Sequence, residues 1–378
     1  MHSFTPDAVR SLRLADTDSR LAALERFAAA TFPTAQDEIW RYSRIAELDL
    51  AAYSPGTMST TITGADSVLT TDELDVSDHS LDLFEDLNQA FASVIRLRIP
   101  RGKVLEQPIV ITHVLQSSGV ACFPRLDIDA GDDSEVTVIE RFMSADDVTG
   151  IVMPVLHVRA RQAARVKYLA INELGSSVWQ IANQQSVGER DSSTLLSAVA
   201  LGGDYARVRT HAKLVGQGSS TRQVALYFAD GSQTHDFRIT QEHIAPKTSA
   251  DLLFKGAVND VARSVYTGLI KIGPDARGTQ AFQTNRNLTL SDGAWAESVP
   301  NLEIETNDVK CSHASTVGPI DEDQRFYLES RGIQPDIAER LVVLGFFDEV
   351  LGQLPTGGLA ADLRLRISRK LHQAMVPS

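Results

Sequence analysis

Residues 207–214 read RVRTHAKL, and their basic side chains alternate with small or apolar ones. In an extended chain one face carries Val208, Thr210, Ala212 and Leu214, and the other face carries Arg207, Arg209, His211 and Lys213. This period of two residues is typical of a β-strand with one face in a core. The segment is therefore predicted to be a strand that buries its apolar face.

The alternation extends over about two hundred residues, beginning near Ser93. Glycines recur within it at nearly regular intervals, at positions 175, 188, 202, 216 and 231. No pattern of helix length interrupts these strands, which excludes a doubly wound α/β sheet because that fold needs helical crossovers. The regular spacing indicates a solenoid in which each coil stacks on the one before it.

A narrow interior fits this prediction, because small side chains occupy positions expected to point inward: Ala164, Ala170, Ala198, Ala212 and Ala225. The predicted fold class is mainly β, with a right-handed β-helix (solenoid) over residues 93–318 flanked by N-terminal and C-terminal helical segments. A large β-sandwich is the structural alternative, since it also contains many short strands. The last coil of a solenoid exposes an apolar cross-section, so residues 300–313 are expected to be capped or paired.

The N-terminal region, residues 1–92, is predicted to be helical with a flexible connection to the solenoid. A first amphipathic helix ends at Pro33. Thr34 and Asp37 resemble a capping box and predict that a second helix begins there. Residues 54–79 are rich in Ser, Thr and Asp, and they predict an irregular connection with one short strand.

The C-terminal region, residues 319–378, is predicted to be a helical domain. Two helices are expected at residues 321–331 and 335–354, and a third follows the glycines after Pro355. The third combines an apolar stripe with four basic side chains, which are Arg364, Arg366, Arg369 and Lys370. This helix either docks on an acidic partner surface or packs on the preceding helix with its basic side chains in solvent.

The composition is that of an acidic protein. The 378 residues carry a formal net charge of −13 at pH 7, and the sequence pI is about 5.2. This charge argues against a nucleic-acid or anionic-membrane partner, because both bind basic patches. No apolar run approaches the ~18 residues of a membrane span, and two cysteines make no disulfide framework, so a cytoplasmic location is expected.

A cysteine and a histidine stand two residues apart where the run of strands ends. If this segment is extended, Cys311 and His313 point to the same face. A thiolate and an imidazole form a half-site for a soft metal ion or an iron–sulfur cluster, which usually needs about four protein ligands. The only other cysteine is Cys122, so a complete site needs ligands from another subunit. The alternative is a structural role for Cys311 as a small buried side chain.

The sequence contains no G-x-S-x-G, no H-E-x-x-H and no protein-kinase motifs. Two pairs of aspartates, Asp132/Asp133 and Asp146/Asp147, suggest another function, because paired carboxylates supply the acid and base of glycosidases. Both pairs lie in predicted turns, where aspartate is common for conformational reasons. The chain is therefore predicted not to be an enzyme, with a β-helix carbohydrate-active enzyme as the alternative.

Several longer segments resemble a known family. They are DEIWRYSRI at 37–45, FASVIRLRIPRGKVLEQPIVI at 91–111, ERF at 140–142, FKGAVNDVARSVYTGLIKI at 254–272, PNLEIETNDV at 300–309 and KCSHASTVGPIDEDQRFYLESRGI at 310–333. In this order they resemble the SufB/SufD family, which are scaffold subunits of the Suf iron–sulfur cluster assembly machinery. The resemblance also implies a β-helix.

The terminal motif is more similar to SufD than to SufB. In the SufB type a cysteine stands four residues after the proline of a V-P-x-I/L-E segment, whereas here Pro300 leads to Ile304. The run CSHASTVG at 311–318 is close to the SufD-type C-S-H-G-A-T-V-G and lacks the SufB-type H-E-A-T-T-S. By resemblance, His313 matches a SufD histidine at the interface with the SufB cysteine, and Cys311 matches the cysteine usually found beside it.

The resemblance implies a scaffold subunit that pairs with a SufB-like relative through the last coils of both β-helices. Its C-terminal helices would dock a SufC-like ABC-type ATPase, with contacts assigned to Phe326, Tyr327, Arg331, Phe346 and Phe347. No cofactor is expected to be bound stably, but iron or an iron–sulfur cluster would sit transiently at the partner interface on Cys311 and His313. A self-pairing SufB-like scaffold and a homodimer of the isolated chain are the alternative assemblies.

Overall fold

The computed structural model of the chain describes residues 3–76, 79–356 and 358–375. These residues form twenty strands in two sheets, together with six α-helices. In chain order the strands are β1 (Ser54–Gly56), β2 (Ser59–Thr63), β3 (Ser93–Ile99), β4 (Ile109–Leu115), β5 (Val120–Cys122), β6 (Pro124–Ala130), β7 (Glu135–Ser144), β8 (Gly150–Val152), β9 (Val155–Ala160), β10 (Arg165–Glu173), β11 (Val178–Gly188), β12 (Ser193–Ala200), β13 (Tyr205–Leu214), β14 (Ser220–Ala229), β15 (Thr234–His243), β16 (Ser249–Val258), β17 (Arg263–Ile272), β18 (Thr279–Thr289), β19 (Trp295–Ile304) and β20 (Val309–Gly318).

From β10 onward, successive strands alternate between the two sheets, which is the topology of a solenoid. Sheet one contains β1, β3, β5, β6, β8, β9 and the odd-numbered strands from β11 to β19. Sheet two contains β2, β4, β7 and the even-numbered strands from β10 to β20. Neighbouring strands run parallel, except that β2 is antiparallel to β4.

The register between strands defines the coil. Tyr205 lies opposite Thr234, and Thr234 lies opposite Arg263, so successive coils have equal length at this point. The chain makes about eight such coils, each with one strand in each sheet. The predicted mainly β solenoid is therefore confirmed, and the sandwich alternative is wrong because consecutive coils pair in parallel. The regular spacing of the glycines corresponds to half a coil, since each coil holds two strands and two turns.

The alternation of side chains explains how the strands pack. On β13, Val208, Ala212 and Leu214 are buried, whereas Arg209 and Lys213 face outward and stay partly exposed. The two sheets meet through small side chains, because Ala164, Ala212 and Ala225 are at most 1% exposed. Ala170 and Ala198 are less completely buried and pack against the same interior clusters.

A column of tight turns carries the chain between the sheets. Asp191 and Lys247 occupy turns of this column in different coils and have positive φ angles of 56° and 57°. Each donates its backbone N–H to a carbonyl of the next coil, Asp191 to Gln217 at 3.0 Å and Lys247 to Arg277 at 2.7 Å. The hydrogen bonds of the sheets thus continue around the corner and offset the cost of about 1–2 kcal/mol for a left-handed residue with a side chain.

Three N-terminal helices lie against the outer face of sheet one. They are α1 (Pro6–Ser11), α2 (Thr17–Ala29) and α3 (Leu83–Phe91). Their apolar side chains form one cluster with Phe123, Ile151 and Trp179 of the sheet region. Asp82 caps α3, because its carboxylate accepts the Phe84 N–H at 3.0 Å. The N-terminal helical region therefore packs on the solenoid through an apolar core.

The second N-terminal helix predicted from the capping box is wrong. The predicted contact forms, since the Thr34 N–H donates to the Asp37 carboxylate at 2.7 Å. Only 3₁₀ turns follow it, at Glu38–Trp40, Ile45–Glu47 and Leu50–Ala52. The Ile39 carbonyl, which a helix would use internally, instead accepts a hydrogen bond from Arg207 of sheet one at 2.8 Å. A tertiary contact has outweighed the local capping signal.

The connection predicted at residues 54–79 contains more regular structure than expected, although residues 77 and 78 lie outside the described part of the chain. It contributes two short strands, β1 and β2, where one was predicted. The first pairs with β5 in sheet one, and the second pairs with β4 in sheet two. The sheets of the solenoid therefore begin before residue 93.

The three predicted C-terminal helices are α4 (Glu322–Ser330), α5 (Pro335–Leu351) and α6 (Ala360–Met375). The last two cover the outer face of sheet two. Phe347, Ile367 and Leu371 have no exposed surface, and they share one apolar cluster with Leu169 and Phe228 of sheet two. This core fixes the helical end of the chain to the solenoid.

Two basic side chains of α6 contact acids of the solenoid. Arg366 lies 2.5 Å from the Glu173 carboxylate, and the Lys370 ammonium lies 2.9 Å from the Asp230 carboxylate. Burial lowers the pKa of Lys370, and the Asp230 carboxylate partly offsets this effect. The acidic groups that these side chains of α6 contact therefore belong to the solenoid of the same chain. Neither docking on a partner surface nor packing on α5 with all basic side chains in solvent describes the helix completely.

Candidate functional site at the open end of the solenoid

The last coil of the solenoid has two open edges. β19 pairs with β17 on one side, and β20 pairs with β18 on one side. Within the described residues no strand lies on the other side of either. Each of these strands is ten residues long. Their outer edges therefore present rows of backbone N–H and C=O groups to which another strand can pair.

The apolar interior is also exposed at this end. Ile270 and Ile272 of β17 have no exposed surface, whereas their neighbours in register on β19, Leu302 and Ile304, are 37% and 42% exposed. Val317 on β20 is 45% exposed. One further coil would bury all three side chains, so the last coil is the surface most suited to covering by a partner.

Cys311 and His313 lie on the inward face of β20 at this open end. They stand in register with Ala281 and Gln283 of β18, both of which are buried in the interior. Cys311 is half-buried and packs against the apolar cluster around Ile270, while His313 is exposed. The two potential ligands thus share a face, as their spacing predicts, and point into the open cross-section.

Burial raises the pKa of the Cys311 thiol. The protonated thiol is therefore favoured at neutral pH in the isolated chain, while the thiolate is the form that binds metal. Ligation by Cys311 requires the loss of this proton. A bound cation would favour the thiolate, whereas the exclusion of water alone would raise the pKa of the thiol further.

The chain supplies no complete metal site within its described residues, since no group of three or more His, Cys, Asp or Glu side chains is placed to hold a metal ion. Cys122 does not contribute to the open end, because it is buried among Leu115, Phe142 and Val178. Burial raises the pKa of its thiol to about 12. Cys311 and His313 are therefore the two described side chains of the predicted half-site, without a third or fourth ligand from the same chain.

A polar group that the sequence analysis missed lies behind His313. Gln283 is 2% exposed, and its Oε1 accepts a hydrogen bond from the Tyr266 hydroxyl at 3.1 Å. Its Nε2 has no partner among the described residues. Gly268 permits this contact, since a Cβ there would lie 2.3 Å from the Tyr266 hydroxyl oxygen. The alternation of β18 places Gln283 inward, but only the register shows that it adjoins His313.

The N-terminal region reaches the last coil through an aromatic pair. Tyr42 packs on Trp295, the first residue of β19, with a ring-centroid distance of 5.7 Å. The Arg41 guanidinium lies 5.1 Å from the centroid of the Tyr42 ring. Tyr42 has a φ of 65° and is 41% exposed. An aromatic pair of one exposed and one partly buried ring thus borders one of the two open edges.

The residues predicted to dock the ATPase occupy two different environments. Phe326 and Tyr327 on α4 are 71% and 58% exposed, and the Arg331 guanidinium lies 5.3 Å from the centroid of the Tyr327 ring. On α5, Phe346 is partly buried and packs near the Lys255 ammonium, while Phe347 is fully buried in the core against sheet two. The exposed part of the predicted set therefore lies on and just after α4.

The paired aspartates lie in turns, as predicted. Asp132 and Asp133 are in the turn between β6 and β7, and Asp146 and Asp147 are in the exposed turn between β7 and β8. Asp133 has a φ of 57°, a conformation in which aspartate is common. Turn geometry therefore accounts for the aspartate at position 133.

None of the helices in the described ranges has both the length and the apolar character needed to cross a membrane. Strands β5 to β20 and helix α4 lie in a part of the chain that matches a known family. A family model described as "SUF system FeS cluster assembly, SufBD core domain" matches residues 113–346.

Three relatives support the same grouping. An iron–sulfur cluster assembly SufBD family protein of Mycobacterium tuberculosis is 30% identical over 90% of this chain and 89% of its own length. The iron–sulfur cluster assembly protein SufD of Escherichia coli is 30% identical over 77% of this chain and 70% of its length. SufD of Bacillus subtilis is 31% identical over 73% of this chain and 63% of its length.

Proposed function

The chain belongs to the SufB/SufD family of iron–sulfur cluster assembly proteins and is SufD-like, and from this we propose that it acts as a scaffold subunit. Its open end pairs with a SufB-like subunit, and its C-terminal helices dock a SufC-like ATPase. The assembly works in the cytoplasm, and the chain performs no catalysis of its own.

The exposure of Leu302 and Ile304 above the buried Ile270 and Ile272 is the observation that carries this proposal. A solenoid end with open edges and exposed apolar side chains is energetically unfavourable in water. A homologous solenoid is a suitable cover, because its last coil has the same cross-section and its edge strands can pair with β19 and β20. Pairing would extend both sheets across the interface.

Iron or an iron–sulfur cluster is the cargo of the paired scaffold, held transiently at the interface. Cys311 and His313 supply two ligands from this chain. A cluster usually takes about four protein ligands, so the remaining ones come from the SufB-like subunit. Binding to Cys311 displaces the thiol proton, and the buried setting of the paired ends strengthens the attraction between thiolate and metal.

The two exposed aromatic residues of α4, Phe326 and Tyr327, are the proposed ATPase contact. Exposed aromatic side chains with a stacked arginine are frequent anchors of protein interfaces, and Phe326, Tyr327 and Arg331 have this arrangement. Because α5 and α6 share a core with sheet two, movement of the docked helices is passed to the solenoid. ATP-driven closure of the ATPase would strain the paired ends and open the site around Cys311 and His313.

Co-expression with a SufB-like subunit and a SufC-like ATPase tests the pairing. We expect Leu302→Asp/Ile304→Asp to abolish recovery of the SufB-like subunit, because two carboxylates would be buried at the interface. The matched control is Leu69→Asp/Val104→Asp, which changes side chains that are 46% and 57% exposed near the start of the solenoid. Equal recovery with both double variants would contradict pairing through the last coil.

A further inference from the structure

A row of outward-facing charges runs across sheet one and alternates in sign from strand to strand. Lys213 of β13 lies opposite Glu242 of β15, which lies opposite Lys271 of β17, which lies opposite Glu303 of β19. The Lys271 ammonium is 3.8 Å from the Glu242 carboxylate. The row ends on Glu303, at the open edge of the sheet.

Glu303 has no ion-pair partner within the described part of the chain. It is exposed, and the strand that carries it, Trp295–Ile304, contains Glu297 as its only other charged residue. Opposite charges on adjacent strands stabilise their pairing, and like charges directly opposite destabilise it. The next strand added to this edge is therefore favoured if it places a basic side chain beside Glu303.

The last coil as a whole carries a net negative charge. Residues 291–318 contain a single lysine or arginine, Lys310, and five acidic side chains: Asp292, Glu297, Glu303, Glu305 and Asp308. None of these six forms an ion pair with any residue that the structure describes. The preceding coil, residues 263–290, has the opposite balance, with one acidic side chain and four basic ones: Arg263, Lys271, Arg277 and Arg286. Within this solenoid an acidic coil thus stacks on a basic one.

We propose that the last coil selects its partner by charge, so that it favours a homologous solenoid whose own last coil is basic and disfavours a second copy of this chain. This inference rests on the proposed function, because it concerns the same paired ends. In a pair of identical chains the acidic coils face each other, and β19 offers no basic residue to the Glu303 of the other copy. The partner supplies a lysine or arginine that continues the alternating row past Glu303.

The test compares Glu303→Lys with Glu106→Lys, which makes the same charge change at an exposed acid near the start of the solenoid. Dissociation constants are measured by analytical ultracentrifugation for this chain alone and for its pair with the SufB-like subunit. We expect Glu303→Lys to weaken the mixed pair about three- to tenfold, because the attraction to a basic residue of the partner becomes a repulsion. Self-association should strengthen, because the substitution reduces the net negative charge of both facing coils. Glu106→Lys should match the unchanged chain in both.

Ionic strength provides an independent measurement, since the Debye length falls from about 10 Å at 0.1 M salt to about 3 Å at 1 M. Added salt should weaken the mixed pair and strengthen self-association of the unchanged chain. If the mixed pair forms but Glu303→Lys behaves like Glu106→Lys, the charge selection is overturned and the scaffold function stands. If no mixed pair forms at either salt concentration, the proposed function fails and the inference fails with it.

Discussion

Arg207 of β13 forms an ion pair with Asp236 of β15 at 2.8 Å, and the two side chains are 1% and 0% exposed. The Arg207 guanidinium also lies 3.8 Å from the centroid of the Trp40 ring and donates to the Ile39 carbonyl. One buried cation therefore joins two strands of sheet one to the N-terminal segment that covers them. Removing the Arg207 guanidinium leaves the buried Asp236 carboxylate with fewer partners.

We expect Arg207→Ala to lower the free energy of unfolding by about 3 kcal/mol, because breaking a buried pair is far more costly than breaking an exposed one. Denaturant unfolding followed by Trp fluorescence measures this change. The matched control is Arg222→Ala, whose pair with Asp251 is about half exposed at 3.6 Å and should contribute at most about 1 kcal/mol. Equal losses for the two variants would contradict this account of the buried pair.

The raised pKa of His157 leads us to expect that the stability of the fold depends on pH. Burial alone lowers the pKa of His157, but hydrogen bonds with Asp127 and Glu85 outweigh it and raise the pKa above its ordinary value. The stabilisation is therefore complete below the unfolded pKa of about 6.5 and is lost as the pH rises through the folded pKa. The difference in unfolding free energy between the unchanged chain and His157→Gln should shrink from about pH 6 to about pH 9.

The comparison variant for this measurement is His235→Gln. Burial lowers the pKa of His235 to about 3, so this side chain is neutral in both folded and unfolded states above about pH 7. Its contribution should stay constant between about pH 7 and about pH 9, where that of His157 falls. A constant difference for His157→Gln over this range would show that the folded chain does not raise its pKa.

Substitution of Cys311 and His313 should reduce cluster formation and leave pairing with the SufB-like subunit unchanged. We expect Cys311→Ala/His313→Ala to co-purify with its partners normally but to lose most cluster formation in the reconstituted complex, because two ligands are missing. Cluster formation is followed by the absorbance of the iron–sulfur chromophore. Ser312→Ala is the matched control, since Ser312 lies between the two residues on the opposite face of β20. Full cluster formation by the double variant would remove the metal role and leave the scaffold role intact.

Exposed aromatic residues on α4 should carry ATPase docking. Phe326→Ala/Tyr327→Ala is expected to weaken ATPase binding at least about tenfold, a loss typical of truncating interface anchors. Binding is measured by isothermal titration calorimetry on the full chain. Leu365→Ala on α6 removes another exposed apolar side chain, which is 48% exposed, and should leave binding unchanged. Loss of binding with Leu365→Ala alone would move the docking surface to α6.

Local patterns predicted much of the architecture. The alternation in residues 207–214 correctly gave the inward face of β13, because the face to which a side chain points on a strand depends on position parity alone. The C-terminal helices were predicted from breakers in the sequence, such as Pro355 and the glycines after it, which separate α5 from α6. By contrast, the helix predicted after Thr34 failed because the distant Arg207 takes a carbonyl that the helix needed.

The candidate site was predicted only in part. The shared face of Cys311 and His313 follows from their spacing, and the need for further ligands follows from the number of cysteines. Gln283 behind His313 could not be found in this way, because the two residues belong to different coils and meet only through the register of β18 and β20. The burial of Phe347 could not be predicted either. Phe346 and Phe347 are adjacent in α5, and the sequence does not show which of the two rings enters the core and which stays partly buried.

The sequence by itself determined the period of the strands, the class of solenoid and the pair of potential ligands at its end, because each depends on neighbours within a few residues. The tertiary structure decided which edges stay open and which charges align across them. Glu303 ends an alternating row only because the parallel register sets it beside Lys271 of the preceding coil. Such contacts depend on the exact length of each coil, which local alternation does not specify.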